Sequence, residues 1–418
     1  MSGSQEASDA GAAVTAAYRD EWSSIVATLI RMTGDWDLAE EAAGAAFEKA
    51  VKRWPDDGIP TSPGGWLTTV ARNHALDVLR RRTSERTKYQ EVAIMQHLES
   101  EASEPSVGPL GIDDRLRLLF TCAHPALPLE ARVALTLRTV AGLTTSEIAR
   151  AFFVPEATMA QRLVRAKGKI RNAGIPYRTP DADALPERLH GVLSVLYLVY
   201  NEGYVPSSGD EVVRVDLAGE AIRLTRLVIR LMPAESEARA LLALMVLQHA
   251  RRAARTRDGE LVSLDAQDRS QWRADEIAEG LQLLTDSSGR GPYRVQAEIQ
   301  AVHARAGSAD GTDWSRIVAL YDELRSFSDS PFVALNHAIA RGFAEGPDAG
   351  LADLDALAAS GWLDGYHLLP AAQAEFLARR GDAGPALERY RQAIALAPTE
   401  HERRHLERKV SLLGQPLG

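Results

Sequence analysis

Four side chains set the most specific chemistry in this sequence. Thr158, Gln161, Arg162 and Arg165 recur at i, i+3, i+4 and i+7, the spacing that brings side chains onto one face of a helix. Gln and Arg can bond base edges in the major groove, a Thr hydroxyl can donate or accept there, and neighbouring cations can meet phosphates. From Arg150 to Arg178 there are seven Lys or Arg residues and one acidic residue, Glu156, a local net of +6 inside a chain whose net is -9. A basic surface helix on any helical domain would show the same spacing. The local charge excess favours nucleic acid, because a phosphate backbone rewards clustered cations through counterion release.

Other residue sets are weaker candidates. Tyr200-Asn201-Glu202-Gly203-Tyr204 and Asp265-Ala266-Gln267-Asp268-Arg269 are polar clusters set against apolar segments, and Glu202, Asp265 and Asp268 could act as paired carboxylates or metal ligands. They lack a histidine nearby in sequence and any phosphate-binding glycine loop, so the favoured reading is that they cap helices and pin a core, or line a groove for a regulatory partner. His74 has no nucleophile or carboxylate spaced with it and reads as a core or boundary residue. Cys122 is the sole cysteine, which excludes an internal disulfide. With His124 it is too small a set for a structural zinc, and it reads as buried filler. No catalytic residue, metal or cofactor is expected, and the chain does not read as an enzyme.

The elements that must position the four reader residues are legible locally. Ile148 and Ala149 mark a short apolar helix, Phe152 to Pro155 break it, and a second helix can start at Glu156 because proline is tolerated at a helix start. Met159, Leu163 and Ile170 on that second helix would face the core. Upstream, Ala16 to Met32 and Asp35 to Trp54 read as helices. In the latter Leu38, Ala42, Ala46, Phe47, Ala50 and Trp54 form the apolar stripe, with Asp37, Glu40, Glu41, Glu48 and Lys52 outward. Pro55 to Gly65 holds three prolines and three glycines in eleven residues and reads as a loop. A third helix runs from Trp66 to Arg82, with Leu67, Val70, Ala71, His74, Val78 and Leu79 toward the core and Arg72, Asn73, Asp77, Arg80 and Arg81 partly exposed.

A chain of 418 residues can hold two or three domains. Six per cent aromatics, few strand-like runs and abundant Ala, Leu, Glu and Arg predict an all-α protein. No apolar run reaches a membrane span and the start lacks a signal-peptide pattern, so a cytoplasmic protein without a membrane partner is expected. Met1 to Arg178 is charge-neutral, with 22 basic and 22 acidic residues. The remainder carries the whole -9, so it is not a nucleic-acid surface and could cover the basic helix or repel DNA.

Trp66-Leu67, Ala71-Arg72-Asn73, Ala75-Leu76-Asp77 and Leu79-Arg80-Arg81 are followed some sixty residues later by Gly142-Leu143-Thr144, Glu147-Ile148-Ala149, Ala157-Thr158-Met159 and Arg162-Leu163. Together they resemble the extracytoplasmic-function sigma factors (group 4 of the sigma-70 family) of bacterial RNA polymerase. The segment from Phe120 to Arg178, with YNEGY and AQDRSQW further on, is similar to the subgroup with a C-terminal tetratricopeptide-like extension. The resemblance implies core RNA polymerase and promoter DNA as partners. Asp37, Glu40 and Glu41 would bind polymerase, and the Pro55 to Gly65 loop would capture a flipped base of the minus-ten element. Arg72, Asn73, Arg80 and Arg81 would hold that element's strand, and Thr158, Gln161, Arg162 and Arg165 would read the minus-thirty-five element, with phosphate contact the alternative role for Arg165. Where relatives have Gln-Glu on the clamp-facing helix this chain has Gly44-Ala45, which implies weaker polymerase binding.

The implied layout is a disordered N-terminus (1–15), sigma domain two (16–88), a linker (89–112), helix-turn-helix sigma domain four (113–178) and a helical extension with tetratricopeptide-like repeats (185–418). The linker, with Glu99, Glu101 and Glu104, would thread toward the polymerase active centre or serve as a solvated tether. In the extension, helices can be drawn over Leu217–Leu231, Glu237–Arg255, Trp272–Leu284, Tyr293–Arg305, Trp314–Ser326, Phe332–Phe343, Leu351–Ala358, Leu369–Arg380 and Gly384–Leu396. The last pair fits a tetratricopeptide unit, with Gly381-Asp382 at its turn, Tyr390 and Ala393 packing and Pro398 closing it. The extension would regulate activity in cis, by masking the reader helix or by stabilising the polymerase complex, and a regulatory protein on it is a candidate partner. The alternative is a helix-turn-helix transcription regulator with a sensory helical-repeat domain that does not join polymerase.

Overall fold

The structure is a computed structural model that describes residues 2–85, 114–152, 154–204, 217–257 and 260–413. Among the described residues the regular secondary structure is helical apart from one two-residue antiparallel ladder, Thr256–Arg257 with Glu260–Leu261. The chain divides into two compact units, with the seam at Val199 and Tyr200 inside one helix. The segment expected as a linker lies outside the described residues.

The first unit opens on α1 (Ser2–Thr33), whose buried face carries Trp22, Ile25, Val26, Leu29 and Ile30. The expected disordered start is helical from Ser2, and Ala10, Val14 and Ala17 are buried, so packing extends the helix beyond what local sequence suggests. Asp35 caps α2 (Trp36–Asp57) by accepting from the Asp37 and Leu38 amides. The apolar stripe falls where periodicity puts it, on Leu38, Ala42, Ala46, Phe47, Ala50 and Trp54.

Pro55 was expected to begin a loop, yet it lies inside the last turn of α2. Proline there removes one amide donor, which would serve the carbonyl of exposed Val51, while buried Trp54, edge-on to Trp66 at 5.8 Å, holds the turn in place. The helix stops at Gly58, whose φ of 82° suits glycine. α3 (Pro63–Glu85) then begins on a proline, where no donor is needed, so the loop shrinks to five residues.

α4 (Asp114–Cys122) and α5 (Leu129–Leu135) follow, and α5 continues through a π turn at Thr136–Val140. After α6 (Thr145–Ala151) and α7 (Glu156–Asn172), the first half of α8 (Leu185–Tyr204) still belongs to this unit; there the Arg188 guanidinium donates to the Phe120 carbonyl at 2.6 Å.

The second unit is a run of helices in which sequence neighbours pack together: α9 (Leu217–Leu231), α10 (Ser236–His249), α11 (Ala274–Thr285), α12 (Pro292–Arg305), α13 (Trp314–Arg325), α14 (Pro331–Glu345), α15 (Pro347–Ala359), α16 (Leu368–Arg380), α17 (Ala383–Leu396) and α18 (Glu400–Leu413). α18 was not anticipated, since its charged sequence hides the buried Leu406. The α16–α17 pair has the expected tetratricopeptide features: Gly381 turns at φ 96°, and Tyr390 and Ala393 are buried.

Small residues decide how closely these helices cross. A Cβ on Gly342 of α14 would run into the Phe376 ring of α16, and one on Gly350 of α15 would lie 2.7 Å from the Gly342 Cα. The polar clusters also serve packing. Asp268 accepts from the Ser270 amide and hydroxyl, and Arg269 donates to the carbonyls of His303 and Ala306 at the end of α12 while stacking 4.6 Å from Trp272. Tyr200 is fully buried, with its hydroxyl on the Met245 carbonyl at 3.0 Å. Burial, with Arg251 and Arg269 close by, lowers the His303 pKa to about 4, so the imidazole is kept neutral.

Two predictions follow from this packing. Gly342→Ala overpacks the crossing and is expected to cost about 1–3 kcal/mol in thermal denaturation of the full chain. Gly384→Ala, where nothing lies within 4 Å, should cost nothing. Separately, His303 protonates near 6.5 when unfolded and only near 4 when folded. The stability tied to its neutral form is therefore present above pH about 6.5 and lost as pH falls toward 4, up to roughly 3 kcal/mol. Denaturant melts across that range should fall less steeply for His303→Gln than for the parent chain; parallel curves would remove His303 from the account.

Candidate nucleic-acid interface

The reader helix is set by local chemistry at both ends of a tight turn. Thr144 caps α6: its hydroxyl accepts from the Glu147 amide at 3.2 Å while the Glu147 carboxylate accepts from the Thr144 amide at 2.7 Å. Ile148 and Ala149 bury the short helix, and the Val154 amide closes the turn on the Ala149 carbonyl. The Pro155 carbonyl then accepts from the Thr158 and Met159 amides and starts α7. Met159, Leu163, Ala166 and Ile170 face inward.

Thr158, Gln161 and Arg165 stand exposed on the opposite side. Arg162 departs from the expected face. It is half-buried, with Nη1 3.3 Å from the Glu130 carboxylate of α5, because its helical phase falls between the exposed side and the core. Val164 was missed: at 70% exposure it lies beside Gln161 and Arg165, and its position three residues after Gln161 was the available signal. A bare apolar side chain on such a face can meet a thymine methyl.

On α3, Asn73, Arg80 and Arg81 are exposed and Arg72 is half-buried. Arg80 is 3.7 Å from Asp77, and Arg82 is tied to Asp35 at 3.0 Å. His74 is a boundary residue, 3.8 Å from Glu41.

The acidic face of α2 is not what periodicity implies. Asp37 and Glu41 are exposed, but Glu40, expected outward, is buried at 7% exposure. Its carboxylate lies 2.9 Å from the Arg138 Nε and 3.0 Å from the Lys167 Nζ and accepts from the Thr139 hydroxyl at 3.2 Å; Lys167 also reaches Asp37 at 2.8 Å. α2 is covered on two sides, by α1 and α3 and by residues of α5 to α7, whereas an amphipathicity reading sees a single stripe. Arg138 and Lys167 were missed as members of this cluster because nothing local marks partners about a hundred residues apart.

Around that cluster further bonds join α1 to the segment from α4 to Tyr177. The Trp22 indole donates to the Thr139 carbonyl at 3.1 Å, and the Tyr18 hydroxyl donates to the Gly142 carbonyl at 2.5 Å, burial pushing the Tyr18 pKa up to about 12. Gly142 has φ 81°, and a Cβ there would lie 2.9 Å from Tyr18 and 3.0 Å from Trp22. Arg31 bonds Asp114 at 2.8 Å, and the Tyr177 hydroxyl bonds the Ala27 carbonyl at 3.0 Å. Cys122 is fully buried, and burial raises its thiol pKa, which makes it unreactive.

The carboxylates weighed for catalysis are engaged otherwise. Burial alone would raise the Asp265 pKa, but the Ser263 hydroxyl and the Lys409 charge outweigh it and hold the carboxyl below its usual range. Asp268 is the cap described above. Among the described residues no group of three or more His, Cys, Asp or Glu is placed to hold a metal, and no helix is long and apolar enough to cross a membrane.

Comparison with known proteins agrees with this geometry. Residues 18–85 match sigma-70 region 2, residues 117–170 match sigma-70 region 4, and residues 188–288 match a family of unknown function. An uncharacterized protein of Rhizobium meliloti (strain 1021) is 42% identical over 391 residues, 92% of each chain. The probable ECF RNA polymerase sigma factor SigI of Mycobacterium tuberculosis, in strains CDC 1551 / Oshkosh and H37Rv, is 30% identical over 165 residues, covering 39% of this chain and 56% of that protein. No solved structure matches the chain. With both sigma-70 regions in order, their exposed basic helices, and a helical C-terminal region beyond them, the chain belongs to the sigma-70 family, as an extracytoplasmic-function sigma factor with a C-terminal extension.

Proposed function

We propose that this sigma factor binds core RNA polymerase, recognises minus-ten and minus-thirty-five promoter elements and initiates transcription, with its C-terminal extension acting on that activity in cis. The observation that carries the reading is the solvent-facing row Thr158, Gln161, Val164 and Arg165 on α7, in the same compact unit as the exposed Asn73, Arg80 and Arg81 of α3. Gln161 is the base-edge reader of the minus-thirty-five element, with Thr158 and Val164 beside it, and Arg165 meets phosphate or base. Arg162 contributes from the margin while it braces α7 on Glu130.

At the minus-ten element, Arg72, Asn73, Arg80 and Arg81 hold the opened strand, and the short loop between α2 and α3, with exposed Ile59 and nearby Trp66, receives a flipped base. Unstacking a base costs a few kcal/mol, which a loop pocket and cationic contacts offset. Asp37, Glu40 and Glu41 are the polymerase contacts on α2. Residues 16–88 and 113–178 act as the two sigma modules, and 185–418 as the regulatory extension, whose acidic charge keeps it off DNA.

Run-off transcription with purified core polymerase tests this. The full chain should start RNA at a defined genomic promoter, and Gln161→Ala should lower initiation there by the equivalent of about 1–3 kcal/mol. A chain that binds duplex DNA yet neither joins polymerase nor supports RNA synthesis would be a conventional transcription regulator instead.

A further inference from the structure

The second unit carries a cationic cavity in an acidic body. The chain after Arg178 holds 26 basic and 35 acidic residues. Yet a hollow of about 500 Å³ between α11, α12 and α13 is walled by three arginines, Arg294, Arg305 and Arg316, against two carboxylates, Glu298 and Asp313. Its size is that of a small-molecule site. Leu284, Val302 and Leu320 form an apolar part of its wall.

Both carboxylates are already engaged. Glu298, only 18% exposed, takes Arg290 at 2.6 Å and Arg294 at 3.0 Å, with Arg316 more distant at 3.5 Å. The Asp313 carboxylate accepts from the Arg316 amide at 2.9 Å and caps α13. Packing accounts for two of the arginines: Arg290 also bridges to Glu323 of α13, and Arg294 donates to the Ser287 carbonyl ahead of α12. It does not account for the other two. Arg316 meets Glu298 only at the limit of a hydrogen bond, and among the described residues Arg305 makes no ion pair. Guanidinium groups crowded around one satisfied carboxylate repel each other, and an anion in the space they share relieves that repulsion.

We infer that this cavity binds a small polyanion, an organic phosphate or polycarboxylate, whose anionic oxygens meet Arg305 and Arg316 and whose carbon body lies on the apolar wall. Guanidinium groups suit such oxygens because their N–H forks make two-point contacts with phosphate and carboxylate alike. Arg294 and Arg305 stand eleven residues apart on α12, about 16 Å along the helix axis, so an extended ligand rather than a lone ion spans the row. Leu284 and Thr285 belong to the segment 188–288 that matches a family of unknown function, whereas α12 and α13 lie beyond it. An occupant therefore bonds across the junction of that segment with the helices that follow. The site stands whether or not the chain joins polymerase.

Isothermal titration calorimetry of the full chain at fixed ionic strength tests the site, with tripolyphosphate and citrate as the probes. At least one should bind once per chain with a Kd of about 1 mM or tighter, and the tighter of the two shows which anionic group the site is built for. Arg305→Gln with Arg316→Gln should weaken that binding about tenfold or more, since the lost guanidinium groups take charge-assisted hydrogen bonds with them. Arg325→Gln, at an exposed arginine of α13 outside the cavity, should leave it unchanged. If the double variant melts below the parent chain, Arg305→Gln alone, which breaks no ion pair among the described residues, takes its place. No saturable binding of either probe overturns the inference. So does equal affinity in the folded variant, which puts the anion elsewhere on the chain, and so does an equal loss in Arg325→Gln, which reduces the effect to net charge.

Discussion

A carboxylate removed from water must be matched by cations and donors, or it destabilises the fold that buries it by several kcal/mol. Glu40 is such a group, and its partners Arg138, Thr139 and Lys167 all come from the module that carries the reader helix. That requirement ties α2 to α5 and α7 more specifically than apolar contact could. An apolar seam tolerates sliding, whereas a desolvated carboxylate fixes which atoms meet. The neighbouring joints reinforce the same register. The Trp22 indole needs the Thr139 carbonyl, which the π turn presents, and Gly142 lets the chain pass close to Tyr18 and Trp22.

Function then depends on which surfaces this packing leaves open. The side of α7 proposed to read bases points to solvent, as do most of the arginines of α3, while the α2 carboxylates proposed to meet polymerase are divided: Asp37 and Glu41 exposed, Glu40 buried. The second unit is built differently, from successive helix pairs with glycines at their crossings and with its polar motifs used as caps and braces, notably Arg269 on the end of α12.

Local signals carried much of this into the sequence. The α6–turn–α7 unit was legible because its determinants, the Thr144–Glu147 capping box, buried Ile148 and Pro155, all lie within a dozen residues. The buried stripe of α2 and the α16–α17 unit were legible for the same reason. What could not be read depended on distant partners. Glu40 looks like any outward acid until Arg138 and Lys167 arrive, and Arg162 looks fully exposed until Glu130 is found beside it. Pro55 stays helical because Trp54 is buried against tertiary neighbours, and α18 folds on a few apolar residues scattered through a charged segment.

The central claim is that α1, α2 and the segment from α4 to Tyr177 share one core, fixed in register by the buried Glu40 cluster. Hydrogen–deuterium exchange of the full chain, parent and Lys167→Met, tests it most directly. The account predicts that residues 18–30 of α1 and residues 133–142 around the π turn are protected together in the parent chain. In the variant, which leaves the Glu40 carboxylate short of one cation, amides of the π turn should lose protection while those of the second unit keep theirs. Independent exchange of the two segments in the parent, or unchanged protection of the π turn in the variant, would contradict it.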